Sequence, residues 1–228
     1  MDVKLYNWLG KEFVALSAEG RADLKADAAM RDLLERFDTV LKERGLSLDN
    51  TVRTRLWGRE REDRDTASRE RAGILKGPAR SAGSSYISES RIDSDARIVL
   101  ELWAMRPSGY SLEKVLQEYD PPAAPLRYTK YDGLVFLSGV TGNGGDLEAH
   151  VKHILPAIQG SLEHAGTSWD HALRVSCSLH SSQDLEELRS LLAAHAPVLE
   201  VFDQVECFFV DGYAGAGNLL EIEVTATV

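Results

Sequence analysis

The chain has 228 residues, of which 43% are hydrophobic and 27% charged, with a formal net charge of −10. That is an ordinary globular composition, long enough for one large domain or two small ones. It excludes a membrane helix, for no apolar run approaches the roughly 18 residues such a helix needs.

Met1–Lys11 has neither the charged region nor the apolar region of a signal peptide. Two cysteines, Cys177 and Cys207, cannot build a disulfide framework and fit a reducing cytoplasm as small core residues. The expected location is therefore cytoplasmic, without membrane contact.

Val3–Trp8 and Glu12–Ser17 read as strands joined by a turn. Asp23–Arg44 reads as an amphipathic helix, its apolar residues Leu24, Ala28, Leu33, Leu34, Phe37, Val40 and Leu41 recurring at helical spacing and Gly45 standing at the C-cap. Thr51–Trp57 alternates as a strand, and Glu60–Leu75 is a second, highly charged helix. Gly77–Pro107 reads as a hairpin, with small and β-branched residues in its arms and a polar turn between. Its second arm, Ile98–Met105, is apolar at nearly every position except Glu101. A carboxylate there needs a partner, and Arg80 in the first arm carries a planar fork suited to one. Such a pair is either a structural ion pair or a small-molecule site.

Four of the seven prolines lie between Pro107 and Pro125, a linker around a short helix expected over Ser111–Tyr119. The pattern then restarts. Arg127–Lys130 and Leu134–Ser138 form a strand pair, Leu147–Ala165 a helix ending at Gly166, Ala172–Leu179 a strand and Asp184–Ala196 a helix. Val201–Val210 and Leu219–Val228 form a closing hairpin.

The halves superpose at a nearly constant offset. Ser17 and Ser138, Gly45 and Gly166, Asp49 and Asp170, and Arg53 and Arg174 are 121 apart, and Glu101 and Glu223 are 122 apart. The reading is a tandem duplication: a first domain at 1–108, a Pro-rich linker at 109–125 and a second domain at 126–228. The fold class is α+β, each copy ordered ββαβαββ with two helices on one face of its sheet. Strands apolar on both sides require cover on the other face, so the sheets should pack together into a barrel-like core.

Charge divides unevenly. Residues 1–108 carry 20 basic against 19 acidic residues, and 109–228 carry 6 against 17. The acidic second half argues against a nucleic-acid partner. Seven arginines lie between Arg53 and Arg71, but acids interleave, with Glu60–Arg64 and Asp65–Arg69 at i,i+4, so this reads as a solvated helix face. The glycines of 139–145 lack the Gly-Lys-Ser/Thr of a phosphate loop. His150 and His153 share a helix face without the further ligands of a metal site, so no metal is expected.

The ordered set of segments resembles the Rid family (YjgF, reactive intermediate deaminases), in two tandem copies. In copy one the resemblance lies in Val52–Trp57, Pro78-Ala79-Arg80-Ser81 and Val99–Ala104. In copy two it lies in Leu134–Gly139, the helix end Leu162–Trp169, Leu173–Leu179 and Leu220–Ala226. It implies a trimer-forming homo-oligomer with clefts between neighbouring units and hydrolysis of imines or enamines to 2-oxo acids and ammonia. By resemblance Arg80 holds the substrate carboxylate, Glu101 lies near the attacking water, and Ser17 and Tyr6 line the pocket. Copy two keeps Ser138 and Glu223 as candidates. The arginine's counterparts there, Val201, Phe202 and Asp203, are not basic. Copy one also departs at Ala18 and Ala82, where the family often has glycine and cysteine.

The functional expectation is an enzyme, without a cofactor, acting on the C=N or enamine carbon of a small carboxylate compound, by deamination or a specialised biosynthetic variant. The alternatives are a non-catalytic ligand-binding or assembly protein of the same fold and, second, an endoribonuclease.

Overall fold

The computed structural model describes residues 1–109, 113–196 and 205–228. The first half runs β1 (Asp2–Trp8), β2 (Lys11–Glu19), α1 (Ala26–Lys42), β3 (Thr51–Gly58), α2 (Arg61–Ile74), β4 (Ala82–Ile87) and β5 (Ile98–Met105). A short strand β6 (Lys114–Gln117) follows. The second half runs β7 (Tyr128–Tyr131), β8 (Leu134–Leu137), β9 (Val140–Thr141), α3 (Leu147–Ala165), β10 (Ala172–His180), α4 (Leu185–His195), β11 (Val205–Val210), β12 (Gly212–Tyr213) and β13 (Leu220–Thr227).

One sheet has the order β1-β2-β5-β3-β4-β12, the other β11-β10-β13-β8-β7-β6, with β9 also on β13. Without β6, β9 and β12 the two orders are the same, so the architecture is α+β and duplicated. α1 packs Met30, Leu33, Leu34, Phe37 and Leu41 against Leu16, Leu100 and Leu102 of its sheet. α3 and α4 cover the second sheet in the same way, through Val151, Ile154, Ile158, Leu188 and Leu192. Asp146 caps α3 by accepting from the Ala149 amide, and Gly166 ends it in the left-handed conformation (φ 82°), a position where glycine carries no Cβ penalty.

Both expected hairpins are corrected. β3 lies between β4 and β5, parallel to the first and antiparallel to the second. β10 lies between β11 and β13 in the same relation. The physical reason is the helical crossover: α2 and α4 return the chain parallel to the strand before them, and the last strand closes on that strand's free side. Residues 201–204 of the expected closing strand lie outside the described residues. The expected helix over Ser111–Tyr119 is also corrected: Lys114–Gln117 is a strand pairing with β7, and 111–112 lie outside the described residues. Another departure is β12, which leaves the second half to pair with Tyr86 and Ile87 of β4.

The sheet faces away from the helices meet each other. Phe13, Val52, Ala82 and Met105 of the first half pack with Tyr131, Leu134 and Phe136 of the second. Trp57, Tyr86 and Val99 pack with Val210 and Tyr213. This sheet-on-sheet layer is the barrel-like core, and it positions the polar residues described next.

Candidate functional site

Strand alternation sends every second residue of β3, β4, β5, β10 and β13 into the joint between the sheets. At its centre is Glu223, 3% exposed as a side chain. Its Oε2 lies 2.8 Å from Arg53 Nη1 and accepts from Arg55 Nε and Nη2 at 3.0 and 2.7 Å. Burial opposes ionisation of Glu223, but the charges of Arg53 and Arg55 outweigh it and hold its pKa at about 2. Arg55 also donates to Ser176 at 2.9 Å. Arg53 and Arg55 belong to copy one and Glu223 to copy two, so this buried ion cluster ties the copies together.

Two residues before Glu223, on the same strand face, stands Glu221. Tyr86 Oη lies 2.8 Å from Glu221 Oε1 and 3.3 Å from Glu223 Oε1. Burial, and then the negative charge of Glu223, raise the Glu221 pKa to about 7; the Ser84 and Tyr86 hydroxyls and Arg55 restrain the rise. Two carboxylates this close do not both ionise freely. The single Tyr86 hydroxyl proton lies within reach of both carboxylates, nearer Glu221 than Glu223.

Glu221 opens into a cavity of about 750 Å³ between the copies. Copy one contributes Arg64, Arg71, Arg80 and Ser84 to its wall, and copy two contributes Gly139, Asn143 and Asn218. A Cβ on Gly139 would meet Glu221 Oε1 at 1.9 Å, so only glycine admits the carboxylate at that place. Arg80 pairs with Glu118 on the rim. Arg64 and Arg71, expected on a solvated face, are corrected: Arg64 is 6% exposed, and Arg71 reaches inward to donate to Thr54, Ser84 and Ser85. Burial is the reason the expectation fails. The helix turns these two arginines, and Asp63 beside them, toward the sheet and leaves Glu62 outward.

A second cavity, of about 640 Å³, holds Tyr6, Ser17, Glu101 and Trp103 of copy one beside Arg174 and Glu206 of copy two. Ser17 and Glu101 are register partners on β2 and β5. Glu101 pairs with Arg91 at 2.7 Å and lies 4.0 Å from Arg55, not with Arg80. Tyr6 stacks on Phe13, and its pKa is raised by burial in spite of Arg174.

The structure thus brings Tyr6, Ser17 and Glu101 together and places Arg80 in the other cavity, with copy two's residues. The expectation of Arg80 and Glu101 on neighbouring strands is corrected by β3, which separates β4 from β5. Ser138, the counterpart of Ser17, is fully buried and accepts from the Gly83 amide at 3.1 Å. Glu223 answers Glu101 in register, since Ser176 opposes Glu223 as Arg55 opposes Glu101. It is consumed by the ion cluster, while Glu221 lines the cavity. Positions 201–203, which answer Arg80, lie outside the described residues. Sequence reasoning missed Glu221 and Tyr86. The available signal was a pair of acids at i and i+2 on one strand face. Among the described residues no three His, Cys, Asp or Glu side chains group as a metal site requires, and no helix is long and apolar enough to cross a membrane.

No protein-family model and no curated protein matches the sequence. Solved structures do match. A chorismatase, 15% identical, covers 99% of this chain and 80% of its own, with a TM-score of 0.67. A YjgF-family protein from Mycobacterium tuberculosis, 23% identical, covers 51% of this chain and all of its own, with a TM-score of 0.43. A Rid-family protein from Yersinia pestis, 20% identical, covers 51% of this chain and all of its own, also at 0.43. The chain is similar in fold to the chorismatase over its whole length, and to the YjgF/Rid proteins over about half of it. At these identities the likeness is one of fold, and a fold hosts many activities. In this chain the cavity pairs an arginine-lined wall from copy one with a buried acid from copy two.

Proposed function

We propose that the cavity between the copies hydrolyses a C=N or enamine bond of a small carboxylate compound, giving a 2-oxo acid and ammonia. The observation that carries this reading is Glu221, a buried carboxyl with a pKa raised to about 7 on the wall of an arginine-lined cavity. A carboxyl tuned to that range serves as acid and base in turn near neutral pH.

Arg80 leaves Glu118 and takes the substrate carboxylate as a bidentate pair. Glu221 gives its proton to the imine nitrogen or to the enamine carbon. Water adds to the resulting iminium carbon, and ionised Glu221 takes a proton from it. Glu221 returns that proton to the amine nitrogen, the C–N bond breaks with its electron pair leaving on ammonia, and ionised Glu221 takes the hydroxyl proton as the carbonyl forms. Tyr86 positions Glu221 and passes the influence of Glu223 to it. Glu101, Ser17 and Tyr6, the family-type residues of copy one, lie in the other cavity and are not assigned to this step. An imine is already electrophilic, so the step requires no cofactor.

A second reading rests on the whole-chain likeness to a chorismatase: the compound transformed is chorismate, with Glu221 again the proton donor. The deciding experiment is turnover of freshly generated 2-iminobutyrate, read as ammonia, beside consumption of chorismate, with Glu221→Gln as control. Imine turnover lost in Glu221→Gln supports the first reading, and chorismate consumption alone supports the second. Binding without turnover of either leaves the ligand-binding alternative. The trimeric homo-oligomer that the fold suggests belongs to this proposal and is checked by light scattering.

A further inference from the structure

Among the described residues Arg71 makes no ion pair; Glu221 is the acid whose charge reaches it. It donates to Thr54 Oγ1 at 3.2 Å, to the Ser84 carbonyl at 3.1 Å and to Ser85 Oγ at 2.8 Å. All three are neutral oxygens, and among the described residues no carboxylate pairs with it. Burial, and then the positive charge of Arg64, lower its pKa to about 10. Arg64 does have an ion-pair partner, Asp65, which is itself 38% exposed, and among the described residues its buried Nε meets no hydrogen-bond acceptor. A desolvated guanidinium without a paired anion is costly, and the half-buried Arg71 lines this cavity beside Arg64, whose charge Asp65 offsets from outside. The adjoining acid, Glu221, is the one held up to about 7, so it supplies only part of a compensating charge at neutral pH.

Arg80 approaches this cavity from elsewhere. It precedes the start of β4 at Ala82, whereas the Arg71 fork is fixed at Ser84 and Ser85, further along that strand. The Arg80 fork is already met by Glu118; that of Arg71 is oriented by three neutral acceptors and, among the described residues, meets no carboxylate.

We infer that Arg71, supported by Arg64, forms a second anion subsite distinct from Arg80, and that the cavity takes a small dianionic compound rather than a monocarboxylate. The second group is a carboxylate or a phosphate. The inference shares its cavity with the hydrolytic reading but needs no turnover, so the two are tested apart.

The test is calorimetric binding of stable probes to the full chain: 2-oxobutyrate with one anionic group, 2-oxoglutarate with two carboxylates, and phosphoenolpyruvate with a carboxylate and a phosphate. At least one dianion is expected to bind about tenfold more tightly than 2-oxobutyrate, the gain of one further charge-assisted pair; which one does so identifies the second group. In Arg71→Gln that advantage should fall below about threefold with 2-oxobutyrate affinity unchanged, and in Arg80→Gln 2-oxobutyrate binding should itself be lost. If Arg71→Gln does not fold, Arg64→Gln replaces it and should at least halve the advantage. Equal affinity for mono- and dianions in the parent, or an advantage that survives in the folded variant, overturns the inference. Absence of turnover on every imine would refute the hydrolytic reading and leave this result standing.

Discussion

Replacing Glu221 by glutamine should make the protein more stable at alkaline pH and no more than slightly more stable at acid pH. The folded pKa of Glu221 is raised from 4.5 to about 7. A carboxyl raised on folding contributes its stability below the unfolded pKa and loses it as pH climbs through the folded one. Between 4.5 and 7 the native state therefore holds a proton that the unfolded chain has released. Above that window folding carries a buried, partly uncompensated charge. The difference, at 1.36 kcal/mol per pH unit, amounts to about 3 kcal/mol at pH 8 and less than about 1 kcal/mol at pH 5. These are upper figures, because water in the cavity screens the charge. Glutamine keeps the shape and the contact with Tyr86 and cannot ionise. For a chain of this size about 3 kcal/mol corresponds to a rise in Tm of roughly 6–12 °C. Thermal melts of parent and Glu221→Gln at pH 5 and pH 8, in one buffer series, read the effect. A variant equally stabilised at both pH values, or destabilised at pH 8, would show that Glu221 is an ordinary carboxylate, and the acid–base role would lose its basis.

Four further outcomes follow from the same geometry. Glu223→Gln removes the partner of Arg53 and Arg55 and should destabilise the fold by about 3–5 kcal/mol, measured by denaturant unfolding; a loss below about 1 kcal/mol would mean the cluster is solvated. Gly139→Ala pushes a Cβ into the place of Glu221 Oε1, so turnover should fall at least about a hundredfold, the scale of lost general acid–base catalysis, with circular dichroism unchanged; full activity would place the reacting acid elsewhere. The rate of imine hydrolysis should decline as pH rises through about 7, where Glu221 loses its proton, and the decline should be absent in Glu101→Gln only if Glu101 is the acid. Residues 1–108 expressed alone should be insoluble, since Arg53 and Arg55 would lose Glu223 and the sheet its apolar cover; a soluble, folded fragment would contradict this.

The repeat and most of its elements are legible in the amino-acid order. Offsets of 121 and 122 tie Ser17 to Ser138 and Glu101 to Glu223 because each residue's register is fixed by alternation and hydrogen bonding within its own sheet, and duplication preserves both. Leu147–Ala165 was legible end to end, because its periodicity, its Asp146 cap and Gly166 all act locally. Strand neighbours and the site depend instead on contacts between segments distant in the chain. Which strand lies beside β4 depends on the α2 crossover, not on residues near the turn, so a ten-residue connection between β4 and β5 reads as a hairpin although it steps over β3. Arg64 and Arg71 read as solvated because the acids interleaved along this helix, Glu60 four residues before Arg64 among them, are visible in the sequence and the sheet beneath the helix is not. Glu221 passed unnoticed beside Glu223 for a related reason. One acid meets Arg53 and Arg55 and ionises fully; the other meets Tyr86 and a cavity and is held near neutral pH. That division is made by side chains 130 to 170 residues away in the chain, through forces that act over a few ångströms of space.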